Sequence, residues 1–263
     1  MAYELLLADA DGTLFDFDAG EQNALTELFA HFDIPVREEN FQTYHRINRE
    51  QWALLEQGRT TLPELQVARM ANFLAAVGLR RSPEEMHLYF RDRLSRQSIL
   101  LPGAEAFCAR VAEKMPICLV TNGVAVIQHA RFDRCPISPY LSGLFISEEL
   151  GAAKPDPAIV HAALRRMGVA PENAVMIGDS AAADIPAANA AGVFSILFIN
   201  GRPVPENHGA KAVAASYEEA ERLILGYSPM RLPVCFFGRA GDFLLCRGAK
   251  PPYLFPKSFH DII

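Results

Sequence analysis

The stretch Leu5-Leu6-Leu7-Ala8-Asp9-Ala10-Asp11-Gly12-Thr13-Leu14 decides how this chain is read. Its apolar half makes a short strand, too brief to cross a bilayer, that stops in two aspartates one residue apart. Side chains alternate along a strand, so Asp9 and Asp11 are expected to point the same way. Carboxylates at the carboxyl end of a strand lie where open α/β sheets place their ligand crevice. Like charges this close repel, and they persist only where a cation neutralises them or one takes up a proton. The competing reading is an Asp-Gly turn closing a hairpin, but the residues after Thr13 supply no strand of matching alternation.

Downstream, two kinds of sequence follow. From about Glu21 to Gln97 apolar residues recur at helical spacing, as in Leu25, Leu28, Phe29 and Phe32, then Leu65, Met70, Phe73 and Leu74. Ser82-Pro83-Glu84-Glu85 is a helix start, and Gly58 and Gly78 read as helix ends. From Leu101 onward, helices alternate with short apolar runs. Pro116 to Val120 ends in Thr121-Asn122-Gly123, Leu144 to Ser147 is another run, and Ala174 to Gly178 ends in Asp179. Val193 to Ile199 is a further strand, and Tyr217 to Leu225 a last helix. Strands alternating with helices predict an α/β fold with a doubly wound parallel sheet. Its core comprises residues 1–15 and 98–227, with an all-helical cap domain inserted at 16–97. Residues 228–263, rich in proline and aromatics, read as either a hairpin or a poorly ordered tail.

The chain has 263 residues and a net charge of −6, and no Lys/Arg-rich run or face stands out. Nucleic acid is therefore not an expected partner, and an anionic ligand must be held by local donors and a metal. Five cysteines, Cys108, Cys118, Cys135, Cys235 and Cys246, include no C-x-x-C pair, which argues against a disulfide framework or a zinc site. That usage fits a reducing, cytoplasmic setting. The opening Met1-Ala2-Tyr3-Glu4 lacks the basic region and long apolar run of a signal peptide, and no segment is long enough to span a membrane.

Three strand ends carry reactive groups: Asp9 with Asp11, Thr121 with Asn122, and Asp179 with Asp184 five residues on. Lys154, at a helix start, lies between the second and third. Such a set converging on one sheet edge points to a catalytic centre. The order D-x-D-G-T, Thr-Asn-Gly, K-P-D-P and G-D-S-x-x-x-D resembles the haloacid dehalogenase superfamily of aspartyl-phosphate hydrolases, over residues 4–226.

The resemblance implies a Rossmann-like core and a division of labour that phosphoryl transfer also requires on chemical grounds. Asp9 is the expected nucleophile, and Asp11 the acid for the leaving alkoxide and then the base for water. Thr121, Lys154 and the amides of Asn122, Ala10 and Asp11 are expected to hold the phosphoryl oxygens. Mg²⁺ suits Asp9, Asp179 and the Asp11 carbonyl. Asp184 is expected to position Lys154 or a metal-bound water, or else to cap its helix, while Gly12 and Gly123 support the two turns. By resemblance, dehalogenating members lack an aspartate equivalent to Asp11, and phosphonate-cleaving members use a cap lysine. Residues 16–97 contain no lysine. Phosphatase chemistry is therefore favoured over both.

The cap resembles the subgroup containing cytoplasmic pyrimidine 5′-nucleotidases, so the expected substrate is a nucleoside monophosphate, acted on by a monomer or homodimer. Phe17, Tyr44 and Trp52 are candidates to stack a base, Asn48 or Gln66 to read its edge, and Arg69, with Arg49 and Arg59, to contact a second anionic or sugar group. Ordinary cap packing is the competing role for each. Two other functions compete. One is a sugar-phosphate or phosphoglycolate phosphatase or a phosphomutase of the same superfamily; the other is a non-catalytic phospho-acceptor or binding protein.

Overall fold

A computed structural model describes residues 3–226, save the Glu56 side chain. The segment 228–263, expected as a hairpin or a disordered tail, lies outside the described residues. The chain opens with β1 (Leu5–Ala8) and runs through four helices, α1 (Phe17–His31), α2 (Glu38–Glu56), α3 (Leu62–Ala76) and α4 (Pro83–Ser95). Then come α5 (Ala104–Ala112), β2 (Ile117–Thr121), α6 (Ala125–Asp133), β3 (Gly143–Ile146), α7 (Ser147–Leu150) and α8 (Ala158–Met167). The last elements are β4 (Ala174–Gly178), α9 (Asp184–Ala190), β5 (Phe194–Phe198), β6 (Ala212–Ala214) and α10 (Tyr217–Leu225).

The six strands form one parallel sheet in the order β3-β2-β1-β4-β5-β6. Strand β1 is central because it is apolar on both faces. Leu6 and Ala8 pack with Phe107 of α5 and Ile224 of α10, whereas Leu5 and Leu7 pack with Val160 of α8 and Ala188 of α9. A two-residue period buried on both sides is the signature of a parallel strand between helix layers. Two elements escaped the sequence reading. Strand β6 is only three residues long, and α7 is a single turn closed by Gly151 at φ +65°. Neither is long enough to show a period.

Helices α1 to α4 bury a cluster of their own that includes Leu28, Phe29, Phe41, Tyr44, Phe73 and Phe90. Ile127 of α6 joins that cluster and seats the helices on the sheet domain. Three of their four starts are capped by side chains: Asp16 accepts from the Ala19 amide, Ser82 from the Glu85 amide, and Thr61 and Glu64 form a capping box, whereas α2 starts at Arg37 without one. After β1 the chain makes a tight loop in which Leu14 and Phe15 both donate to the Ala10 carbonyl. The loop is fastened from the far end of the sequence, since the Tyr217 hydroxyl donates to the Thr13 carbonyl at 2.6 Å.

Candidate active site

Three strand ends and one helix start meet at the carboxyl edge of the sheet. Asp9 follows β1, Thr121 closes β2, Asp179 follows β4, and Asp184 opens α9. The Lys154 ammonium, with a side chain 2 % exposed, donates to Asp9 Oδ1 at 2.5 Å, Asp184 Oδ1 at 2.6 Å and the Val120 carbonyl at 2.7 Å. All three protons are thus used. Asn122 fixes the loop that delivers this lysine, because its side-chain amide donates to the Lys154 carbonyl at 2.7 Å and its Oδ1 accepts from the Lys154 amide at 2.8 Å. Asp184 also accepts from the Ser180 amide at 2.9 Å, so it orients Lys154 and braces the turn after Asp179.

Carboxylate oxygens of Asp9, Asp179 and Asp184 lie within 4.8 Å of one another. Burial pushes the Asp9 carboxyl well above its ordinary range; the Lys154 charge opposes this and Asp184 adds to it. Burial also raises Asp179, against its hydrogen bond from Arg202 at 3.0 Å. Burial alone would lower Lys154, but Asp9 and Asp184 outweigh it and hold the ammonium above its usual range. Three carboxylates this close, two of them paired with one buried ammonium and all offering hard oxygen donors, are a donor set that suits a small divalent cation. The third carboxylate is that of Asp184, which joins Asp9 and Asp179 beside the expected Asp11 carbonyl. The Asp11 side chain, expected to share one direction with Asp9, is instead paired with Arg131 at 2.7 Å and bonded by Gln128 at 3.1 Å. Its divergence follows from β1 ending at Ala8, so strand alternation no longer governs position 11.

Both expected turn glycines are sterically required. Gly12 has φ +81°, and a Cβ there would run into the Asp179 carboxylate; one at Gly123 would strike the Gln128 side chain. Gln128, Arg131 and Arg202 were missed from sequence. All three are long polar side chains on a helix or loop, ordinarily solvated, and no local motif marks them.

Above the aspartates a cleft of about 400 Å³ runs up between the sheet edge and helices α1 to α4. Phe17, Asn48, Trp52, Gln66 and Arg69 line it, together with Glu21 and His87. Arg69 is buried; it donates to Asn48 Oδ1 at 3.1 Å and lies over the Phe90 ring at 4.9 Å. Its Nε and His87 Nδ1 have no partner among the described residues. Arg49 and Arg59 are exposed and absent from the cleft lining. Tyr44 corrects an expectation: it is fully buried against Phe73 and Phe90 and does not line the cleft. Phe41, Tyr44 and Ile47 form the core stripe of α2, leaving Asn48 and Trp52 on the cleft face.

Burial, with Arg69 and Arg91 nearby, lowers His87 from 6.5 to about 4. The unfolded chain then binds the extra proton between those values, so His87 favours the folded state above about pH 6.5 and that contribution is lost as pH falls toward 4. A His87→Gln variant should therefore lose less melting temperature than wild type between pH 7 and 4.5. Parallel melting curves over that range would refute this.

An acid-lined sheet edge beneath a helical insertion is the arrangement of the haloacid dehalogenase-like hydrolases, to which the chain belongs, the family model matching residues 3–192; its relatives make it a hydrolase of phosphoric monoesters. It is 30 % identical over 226 residues to pyrimidine 5′-nucleotidase YjjG of Escherichia coli, covering 85 % of this chain and 99 % of that one. With pyrimidine 5′-nucleotidase PynA of Streptococcus pneumoniae it shares 31 % over 200 residues, covering 75 % and 84 %. The crystal structure of HAD-hydrolase YfnB from Bacillus subtilis, bound to magnesium, superposes with a TM-score of 0.79 at 27 % identity, covering 85 % of this chain and 99 % of that one. Among the described residues no helix is long and apolar enough to cross a membrane.

Proposed function

We propose that this phosphatase hydrolyses nucleoside 5′-monophosphates, pyrimidine ones foremost, with Mg²⁺. The observation that carries the reading is the shape of the cleft. Its floor holds Asp9, Thr121 and Lys154, and its wall offers Phe17 and Trp52 as flat apolar faces beside the polar edge of Asn48, Gln66 and Arg69. A phosphate on a flat, hydrogen-bonding body fits that division. The names of the two nucleotidase relatives support it. Residues 16–97 then act as the cap that selects the ester, and the sheet edge carries out the transfer.

Asp9 attacks phosphorus in line and takes the phosphoryl group as an aspartyl phosphate, releasing the alkoxide. Asp11 gives that alkoxide its proton and then draws one from the water that cleaves the acyl phosphate, leaving Asp9 free and inorganic phosphate in the cleft. Thr121 holds a phosphoryl oxygen as charge moves onto it, and Lys154 does the same with the proton that it gives Asp9 Oδ1 in the free protein. Asp9, Asp179 and the Asp11 carbonyl would hold Mg²⁺, with Asp184 beside them orienting Lys154, and the ion would supply charge neutralisation at the phosphoryl group. The magnesium-bound relative supports that choice of ion.

The test is a panel of phosphomonoesters assayed with Mg²⁺ and with EDTA. Uridine, deoxyuridine and thymidine monophosphates are expected to give the highest kcat/KM, and EDTA to abolish turnover. A sugar phosphate or phosphoglycolate turned over faster would replace the nucleotide reading, and EDTA-resistant hydrolysis would remove the metal.

A further inference from the structure

We propose that Gln128 and Arg131, one turn apart on α6, are positioning residues that hold Asp11 for proton transfer and tie it to the chain returning from the helical insertion. The proposal rests on the reading of Asp11 as acid and base. Each oxygen of that carboxylate faces its own polar group: Arg131 Nη2 forms an ion pair with Oδ1 at 2.7 Å, without hydrogen-bond geometry, and Gln128 Nε2 donates to Oδ2 at 3.1 Å. The orientation of Gln128 is not free. Its Oε1 accepts from Arg131 Nη1 at 3.2 Å, so its amide nitrogen must face outward, and that nitrogen also reaches Thr121 Oγ1 at 3.1 Å.

Arg131 is fixed on every side. Its side chain is 3 % exposed, its guanidinium lies over the Phe15 ring at 4.5 Å, and its Nε donates to the Gln97 carbonyl at 2.9 Å. The Ser98 hydroxyl in turn donates to the Arg131 carbonyl at 2.9 Å. Residues 97 and 98 are where the chain leaves the helical insertion, and Gln97 also accepts from the Asn23 side chain of α1 at 3.4 Å. A buried guanidinium requires a carboxylate to compensate it, and the partner provided is the acid–base group rather than a structural one. The planar guanidinium, fixed at Nε by the Gln97 carbonyl and at Nη1 by Gln128 Oε1, keeps its charge at one place beside Oδ1, which a flexible ammonium does not. Asp11 is thereby kept apart from the Asp9–Asp179–Asp184 cluster and on the side of the cleft that the insertion covers.

A proton donor matters most when the leaving group is basic, which separates positioning from general support of the fold. The experiment measures kcat/KM with Mg²⁺ for an alkyl ester, uridine 5′-monophosphate, and for an activated aryl ester, p-nitrophenyl phosphate. The proteins are wild type, Asp11→Asn, Gln128→Met, Arg131→Met and Arg131→Lys. Asp11→Asn is expected to cost the alkyl ester about 10²-fold more than the aryl ester, the lower end of what a positioned acid contributes. Gln128→Met and Arg131→Met should show the same bias at about 10-fold, with Arg131→Lys recovering part of it. Equal losses on both esters in the two Met variants, or no loss, would overturn the proposal while leaving Asp11 in its role. Equal losses in Asp11→Asn would remove the acid–base reading itself and the proposal with it. Should Arg131→Met fail to fold, Gln128→Met, which is close in shape and brings no charge, decides by the same ratio.

Discussion

Asp9→Asn is expected to abolish turnover of every phosphate ester, a loss of about 10⁴–10⁶-fold by analogy with removal of a covalent nucleophile elsewhere. The change removes one nucleophilic oxygen and keeps the volume. An asparagine Oδ1 still accepts from Lys154, and Lys154 keeps its pair with Asp184. Burial disfavours the charge at position 9 in the metal-free protein, so removing that charge should leave the melting temperature at or above that of wild type without Mg²⁺. Acid quenching during turnover of ³²P-labelled substrate should trap a labelled wild-type protein and leave the variant unlabelled. A labelled variant, or activity within tenfold of wild type, would move the nucleophile elsewhere.

Lys154→Met has the second large effect, and it separates stability from chemistry. The ammonium lies between two buried carboxylates, and removing it leaves Asp9 and Asp184 facing each other uncompensated. Deleting one partner of a buried pair costs about 3–5 kcal/mol. Activity should fall about 10²–10³-fold, the scale of one lost donor to a developing oxyanion. Adding Asp184→Asn removes the stranded charge, so the double variant should melt above Lys154→Met while remaining as inactive. Such non-additivity is what contact through a shared cluster requires. A double variant no more stable than the single one would show that Asp184 is not the partner whose charge matters.

The parts of the centre legible in sequence were those fixed by backbone position. Asp9, Thr121 and Asp179 sit at or just beyond strand ends, and a strand's end can be read from where its apolar run stops. Lys154 was legible through its place at a helix start in a recognised motif, and the sheet through its doubly buried strands. Side chains on helices were much less so. A helical face is identified only by what packs on it, which is why Tyr44, aromatic like Trp52 and eight residues before it, fell into the core while Trp52 lines the cleft. Arg69 and Arg131 are buried by partners far away in sequence, Asn48 and Asp11, so no local window shows that these arginines differ from solvated ones.

The position of β1 sets the order in which the catalytic centre is completed. The strand that carries the proposed nucleophile is the first element described, yet both of its neighbours, β2 and β4, come much later, and the loop after it is fastened by Tyr217. Lys154, Asp179 and Asp184 also lie in the second half of the sequence. The helical insertion, by contrast, closes most of its core from consecutive helices. During synthesis the proposed cap is therefore available early, while the carboxylate proposed as nucleophile stands on an unpaired strand. No amino-terminal fragment is a weaker version of the enzyme: the charges that must balance around Asp9 come together only when nearly the whole domain has been made.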